Sequence, residues 1–166
     1  RGLGDVYKRQ IPYIVTEHSN DWGGDGMPGV SDTRALKFVD SFAEVLDYFY
    51  RNDKVAGGFG WSMFDYNNEV NYTKTGHVFY SGLYDLFRHE KPVAYLYRTQ
   101  QDPDVSEPMV YIANNWTQDT ANSIYIMSNC DEIELFVNGV SKGKIQPNKY
   151  LSLPHPIFEF TNISYE

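Results

Sequence analysis

The spacing of apolar residues changes character twice along this chain. Residues 11–16 (IPYIVT) form a short, almost unbroken apolar run with β-branched members, the pattern of a strand buried on both faces as in a parallel sheet. The run ends on Glu17 and His18. Residues 19–30 (SNDWGGDGMPGV) are rich in Gly and Asp and read as a loop, after which Ser31 and Asp32 offer N-cap chemistry. Ala35, Phe38, Val39, Phe42, Val45, Leu46 and Phe49 then recur at helical steps, which predicts a helix to Arg51 with one wide apolar stripe. Asn52 and Asp53 break it, and residues 55–64 (VAGGFGWSMF) predict a second buried strand whose glycines let another backbone or a ligand come close.

A polar, aromatic stretch covers residues 65–81. Lys91 and Pro92 suit a helix start, because proline is tolerated in the first turn, and residues 94–100 continue it. Residues 102–108 (DPDVSEP) carry two prolines and three acidic residues without apolar periodicity and are expected to be a linker. Beyond them the period becomes two. Residues 109–112, 123–127, 132–137 and 158–163 read as strands, Asn138 and Gly139 are a strong hairpin signal, and Ile133, Leu135 and Val137 should share a face. The expected organisation is α/β over residues 11–101, a linker over 102–108 and a partial antiparallel β-sandwich over 109–166.

The chain has 166 residues, 42% hydrophobic and 22% charged, with a formal net charge of -8, so the composition is that of a chain that buries a core. An acidic balance without a Lys/Arg cluster disfavours nucleic acid and anionic membrane surfaces as partners, since both need positive charge opposite phosphate. No apolar run approaches the twenty or so residues of a membrane span. Cys130 is the single cysteine, which excludes an internal disulfide and leaves the compartment open. The segment from Asp5 to Gln10 (DVYKRQ) resembles a translated sequencing adaptor, so residues 1–10 are set aside, and the absence of a cap or charged tail at Glu166 leads us to expect an internal gene fragment.

A carboxylate directly after a buried parallel strand is the first chemical signal, because barrels and doubly wound sheets place their chemistry at the carboxyl ends of strands. Glu17 stands there, and Trp61 stands near the end of the next strand, where an indole can stack on a sugar ring. On pattern alone, a salt-bridged rim glutamate and a core tryptophan remain open alternatives. Asp21, Asp25, Gly26 and Asp32 match part of a calcium-loop template, but Gly23 and the lack of a bidentate glutamate spoil it. His18, His77, His89 and His155 show no paired ligand spacing, and no metal or other cofactor is assigned.

Three motifs in order, YIVTEH at 13–18, GGFGWSMFDY at 57–66 and GLYDLFR at 82–88 with Lys91 and Pro92, followed by SNCDEIELFVNG at 128–139, resemble glycoside hydrolase family 2. The resemblance covers nearly everything after Gln10. It implies the C-terminal part of a TIM (β/α)8 barrel followed by a partial immunoglobulin-like β-sandwich, and a retaining exo-β-glycosidase acting on oligo- or polysaccharides. β-Galactosidase comes first among the implied activities, β-glucuronidase or β-mannosidase second, and a non-catalytic carbohydrate-binding or scaffolding protein is the rival from another class. Glu17 matches the family's nucleophile after the seventh barrel strand, and Trp61 matches the tryptophan closing the sugar pocket after the eighth. His18, Asn20 and Trp22 fall on a loop that contacts sugar hydroxyls, and Asp65 falls where a carboxylate orients the pocket. Ser81 replaces an asparagine found at a cation and sugar site in some members. The acid/base partner, a glutamate of an Asn-Glu pair on the fourth strand, would lie upstream of Ile11, so this chain alone is expected to be inactive.

Overall fold

The computed structural model describes residues 12–19, 24–69, 76–116 and 122–164. Strand β1 (Tyr13–His18) pairs in parallel with β2 (Val55–Gly60), and helix α1 (Asp32–Arg51) connects them. The helix seats on β2 because two of that strand's three glycines, Gly58 and Gly60, face it. A Cβ at Gly58 would run into the Phe49 ring and one at Gly60 into the Phe42 ring, so these glycines let the phenyl groups lie directly on the backbone.

Two expectations are corrected here. The strands read as buried on both faces are covered on the helix side, while Tyr13, Ile14 and Phe59 are exposed, Phe59 at 65%. Among the described residues this sheet has two strands and no layer on its second face. The second strand also stops at Gly60, short of Phe64. Past it, residues 62–65 turn to hydrogen-bond with 81–84, and a two-stranded pair, β3 (Tyr66–Asn67) with β4 (Val78–Phe79), links the two segments.

Helix α2 (Pro92–Arg98) starts on Lys91 and Pro92, and buries Val93, Ala94 and Leu96. Residues 102–108 contain a single helical turn, α3 (Pro103–Ser106), whose N-cap Asp102 side chain accepts from Asp104 N at 2.8 Å. The buried Asn129 side chain ties this segment down, donating to Glu107 O at 3.0 Å and accepting from Met109 N at 2.8 Å.

Strands β5 (Val110–Ile112), β6 (Ser123–Ser128) and β9 (Phe158–Thr161) form an antiparallel sheet, with β6 in the centre. The hairpin of β7 (Ile133–Val137) and β8 (Val140–Ile145) turns at Asn138 and Gly139, with φ of 50° and 79°, as the sequence signal requires. Leu135 and Val137 enter a core with Ile124, Ile126, Phe158 and Phe160, and Ile133 packs against it.

Strand β6 is buried on both faces because its two faces serve different cores. Ile124 and Ile126 belong to the core just described, whereas Tyr125 and Met127 join Leu36, Phe38, Val39, Phe42, Ala43 and Leu46 of α1 and Val93 and Leu96 of α2. Ala113, Leu153 and Ile157 complete this second core, so it runs unbroken across residues 102–108. The polar side of α1 faces the same way. Asp32 accepts from Asn115 N and Nδ2 at 3.1 and 3.0 Å and from Trp116 N at 3.2 Å. Asp40 accepts from Tyr150 Oη at 2.6 Å and pairs with Lys149 Nζ at 3.3 Å, and Asp47 accepts from Ser152 N at 2.8 Å. Burial, and then the bond to Asp40, raise the Tyr150 phenol well above its ordinary pKa. The Ser31 side chain, expected as a cap, makes no capping bond.

If α1 is the joint between the two regions, removing one of these carboxylates should destabilise both together. Asp40→Ala is expected to cost about 2 kcal/mol, the scale of a hydrogen bond to a charged group. Urea denaturation followed by tyrosine fluorescence and by far-UV circular dichroism should shift by the same amount; separate transitions would show that the regions unfold independently.

Candidate active site at the strand ends

The carboxyl end of β1 is irregular. Val15 is opposite Gly58 but His18 is opposite Gly60, so β1 carries one more residue than β2 in this interval. A bulge of this kind re-aims side chains. Thr16 and Glu17 are both exposed, while His18 turns the other way and is buried against α1. Trp61 N donates to His18 O at 2.8 Å, which sets the tryptophan backbone beside the end of β1. The indole is 39% exposed, meets the Tyr66 ring edge-on and donates from Nε1 to Tyr66 Oη at 3.0 Å. Glu17 and Trp61 therefore project from adjoining strand ends.

His18 has a different environment from the one a sugar contact needs. Its ring is 9% exposed and sits edge-on to Phe42 and Phe49, at 5.7 and 5.3 Å between centroids. Ser19 Oγ donates its proton to Ser41 O at 2.9 Å, so the 2.7 Å contact with His18 Nδ1 requires the imidazole to donate. His18 Nε2 is then a buried lone pair with no partner. Desolvation lowers the His18 pKa, since a charged ring here would be stranded among phenyl groups.

Asp65 is 2% exposed. Its Oδ1 accepts from Lys91 Nζ at 2.6 Å and Gly82 N at 2.8 Å, while Oδ2 is buried without a partner. Desolvation raises its pKa, with the Lys91 bond and charge pulling in the opposite direction. Asn20 and Trp22 lie outside the described residues. Sequence reading took Lys91 as a helix start and overlooked its ion pair. The available signal is a lysine two positions before Val93, at the head of the segment carrying Val93, Ala94 and Leu96, where a charge needs a partner.

A separate cleft of about 250 Å³ opens between residues 25–30, residues 85–92 and β5, lined by Met27, Phe38, Glu90, Lys91, Tyr111 and Asn115 among others. Glu17 and Trp61 are not part of its wall. Asp25 and Asp32 of the calcium template are bound to Arg34 and to Asn115 and Trp116.

Comparison with known proteins gives these strand ends a context. Residues 120–166 match the family described as "Domain of unknown function (DUF4982)". The chain is 35% identical to a β-galactosidase of Thermoanaerobacter pseudethanolicus, over 93% of this chain and 22% of that protein. It is 31% identical to a β-galactosidase of Rhizobium meliloti, over 89% of this chain and 20% of that protein. Among solved structures, an FMN-binding β-glucuronidase from Facaelibacterium prausnitzii L2-6 superposes with a TM-score of 0.70 at 19% identity, covering 97% of this chain and 25% of that one. A Bacteroides uniformis β-glucuronidase covalently bound to cyclophellitol-6-carboxylate aziridine superposes with a TM-score of 0.66 at 21% identity, covering 98% and 20%. The chain spans about a fifth of the length of the curated relatives it matches. These matches support glycoside hydrolase family 2, and within it a β-galactosidase-like sequence.

The buried His18 has a measurable consequence. Its pKa is lower in the folded state than the ordinary 6.5, so the unfolded chain binds more protons in the window below that value. The contribution of neutral His18 is fully present above pH 6.5 and is lost as pH falls through the folded pKa. His18→Phe should flatten the decline of thermal stability from pH 6.5 towards 5, seen as a smaller drop in Tm. An equal drop in both proteins would place the acid sensitivity elsewhere.

Proposed function

We propose that this chain is the C-terminal part of the catalytic barrel, with the start of a following immunoglobulin-like domain, of a retaining exo-β-glycosidase. Residues 11–101 would belong to the barrel, 102–108 to the connection and 109–166 to the β-sandwich. The observation that carries the reading is Glu17, placed by a bulge on the uncovered face of β1 beside the partly exposed Trp61. An exposed carboxylate at a strand end, next to an aromatic platform, suits attack on an anomeric carbon.

In this mechanism the Glu17 carboxylate forms a bond to C1 of the sugar as the bond from C1 to the leaving oxygen breaks. A second carboxyl group, which the family resemblance places upstream of Ile11, gives its proton to that oxygen. Water then attacks C1 of the glycosyl-enzyme, losing a proton to the second carboxylate and restoring Glu17. Two such groups must stand about 5 to 5.5 Å apart in a retaining enzyme, so Glu17 would act only together with that second carboxyl. Trp61 would stack on the sugar, and Asp65 would orient the pocket without touching it. Residues 20 and 22 remain candidates for hydroxyl contacts, whereas the burial of His18 favours a role in anchoring the loop.

A β-galactoside is placed first among the sugars because relatives matched over about nine tenths of this chain are β-galactosidases. β-Glucuronidase and β-mannosidase remain rivals in the family, and an inert carbohydrate-binding protein remains the rival outside it.

In the complete enzyme carrying this segment, Glu17→Gln should remove hydrolysis by several orders of magnitude. A 2-deoxy-2-fluoro-β-galactoside should leave a stable adduct on the peptide containing Glu17. Unchanged turnover in E17Q, or an adduct on another peptide, would overturn the assignment, and a panel of nitrophenyl β-glycosides would order the sugars.

A further inference from the structure

The segment that carries Trp61 is fixed by a buried ion pair between Lys91 and Asp65. From Trp61 the chain leaves β2 and lies along residues 81–84, through Ser62 N to Ser81 O at 2.9 Å, Leu83 N to Ser62 O at 2.9 Å, Tyr84 N to Met63 O at 3.0 Å and Asp65 N to Tyr84 O at 2.9 Å. Lys91 closes this ladder from below. Its side chain is 9% exposed and that of Asp65 is 0%; Nζ donates to Asp65 Oδ1 at 2.6 Å and to Tyr80 O at 3.1 Å. Gly82 N donates to the same Asp65 oxygen, and Lys91 N donates to Leu83 O at 2.9 Å. One cation at the start of α2 thus joins the far end of the Trp61 segment to its partner strand.

An ion pair is an expensive way to fill buried space. Two apolar residues of similar volume commonly do as well or better for stability, and here Asp65 Oδ2 has no partner to offset its desolvation. What the pair supplies is direction: a 2.6 Å charge-assisted bond fixes where Asp65 sits, while apolar side chains in contact can slide. The stem of Lys91 is itself confined, with Nζ 5.5 Å from the centre of the Phe38 ring and 5.9 Å from that of Tyr80. Phe38 belongs to α1, so the pair refers the Trp61 segment back to the helix on which β1 and β2 rest.

We propose that Lys91 is a positioning residue for the sugar platform: through Asp65 and Gly82 it holds residues 61–65 so that the Trp61 ring stays in register with Glu17. The proposal rests on the reading of Glu17 and Trp61 given above. Lys91 does not touch the sugar. A loosened platform weakens sugar binding in ground and transition states alike, which raises KM and leaves kcat nearly unchanged.

The test uses the complete enzyme with Lys91→Met, Lys91→Arg and the double change Asp65→Leu with Lys91→Met. K91M is expected to raise KM roughly tenfold with kcat within about threefold of the parent, and to weaken inhibition by the free sugar in proportion. K91R, which keeps a donor for Asp65, should recover most of the loss. The double variant removes the unpaired carboxylate, so it should match the parent in Tm while keeping the raised KM. The proposal is overturned if the double variant returns to the parent KM, or if K91M lowers kcat in step with its folded fraction while KM stays constant. E17Q measured alongside separates the two readings. Parent-like activity there would remove the nucleophile assignment and leave the KM comparison at Lys91 intact as a test of positioning.

Discussion

Helix α1 is the wall that both regions of this protein share, and the rest of the structure depends on its packing. Phe42 and Phe49 on one side lie against glycine backbone in β2, and Leu36, Val39, Phe42 and Ala43 share a core with Tyr125, Met127 and Ile157 from the β-rich region. A helix used in this way cannot be two-faced in the ordinary sense. Asp32, Asp40 and Asp47 follow one another at intervals of about two turns, which keeps them within an arc of about 80° on one side of the helix. Each accepts hydrogen bonds from the β-rich region. A stripe of charge that would ordinarily face water is here half of an interface, and its donors are backbone amides, an asparagine amide, a phenol and an ammonium group.

How far the sequence revealed this follows from which forces are local. The helix was legible at both ends because its apolar spacing and the Asn52 and Asp53 break are properties of neighbouring residues. The turn at Asn138 and Gly139 was legible for the same reason, since positive φ at both positions is a local demand. Pairings between distant residues were not. Ser31 looked like a cap, and Asp32 is engaged instead by residues more than eighty positions away. Residues 102–108 have the composition of a linker, but composition carries no trace of the Asn129 side chain that ties them down. Period two marks residues 123–127 as a strand of a sandwich, but no local pattern shows that two cores meet on it. At the site, Glu17 and Trp61 could be named from their strand-end positions, but the orientation of His18 could not. The bulge that sends it inward is visible only in the register with β2.

That bulge gives consecutive residues opposite environments. Glu17 is left facing outward, and His18 is pressed between phenyl rings with one nitrogen unsatisfied. An orphaned buried nitrogen costs about 1 to 3 kcal/mol, and the other nitrogen offsets part of it. His18 Nδ1 donates to Ser19 Oγ, and Ser19 Oγ donates to Ser41 O, so the backbone immediately after Glu17 is fastened to the middle of α1. The residue next to Ser41 is Asp40, whose carboxylate holds Tyr150 and Lys149. Contacts therefore run without a gap from the β-rich region, across one turn of α1, to the residue beside the candidate nucleophile. Contiguity of this kind is not coupling, which requires an element with two arrangements. Its consequence is stiffness. Ser19 cannot shift without breaking a bond to α1, and α1 cannot shift without breaking its bonds to Tyr150 and Ser152. A carboxylate in the proposed nucleophile's role would gain from such a mounting, because misplacement by about 1 Å can cost a hundredfold in rate.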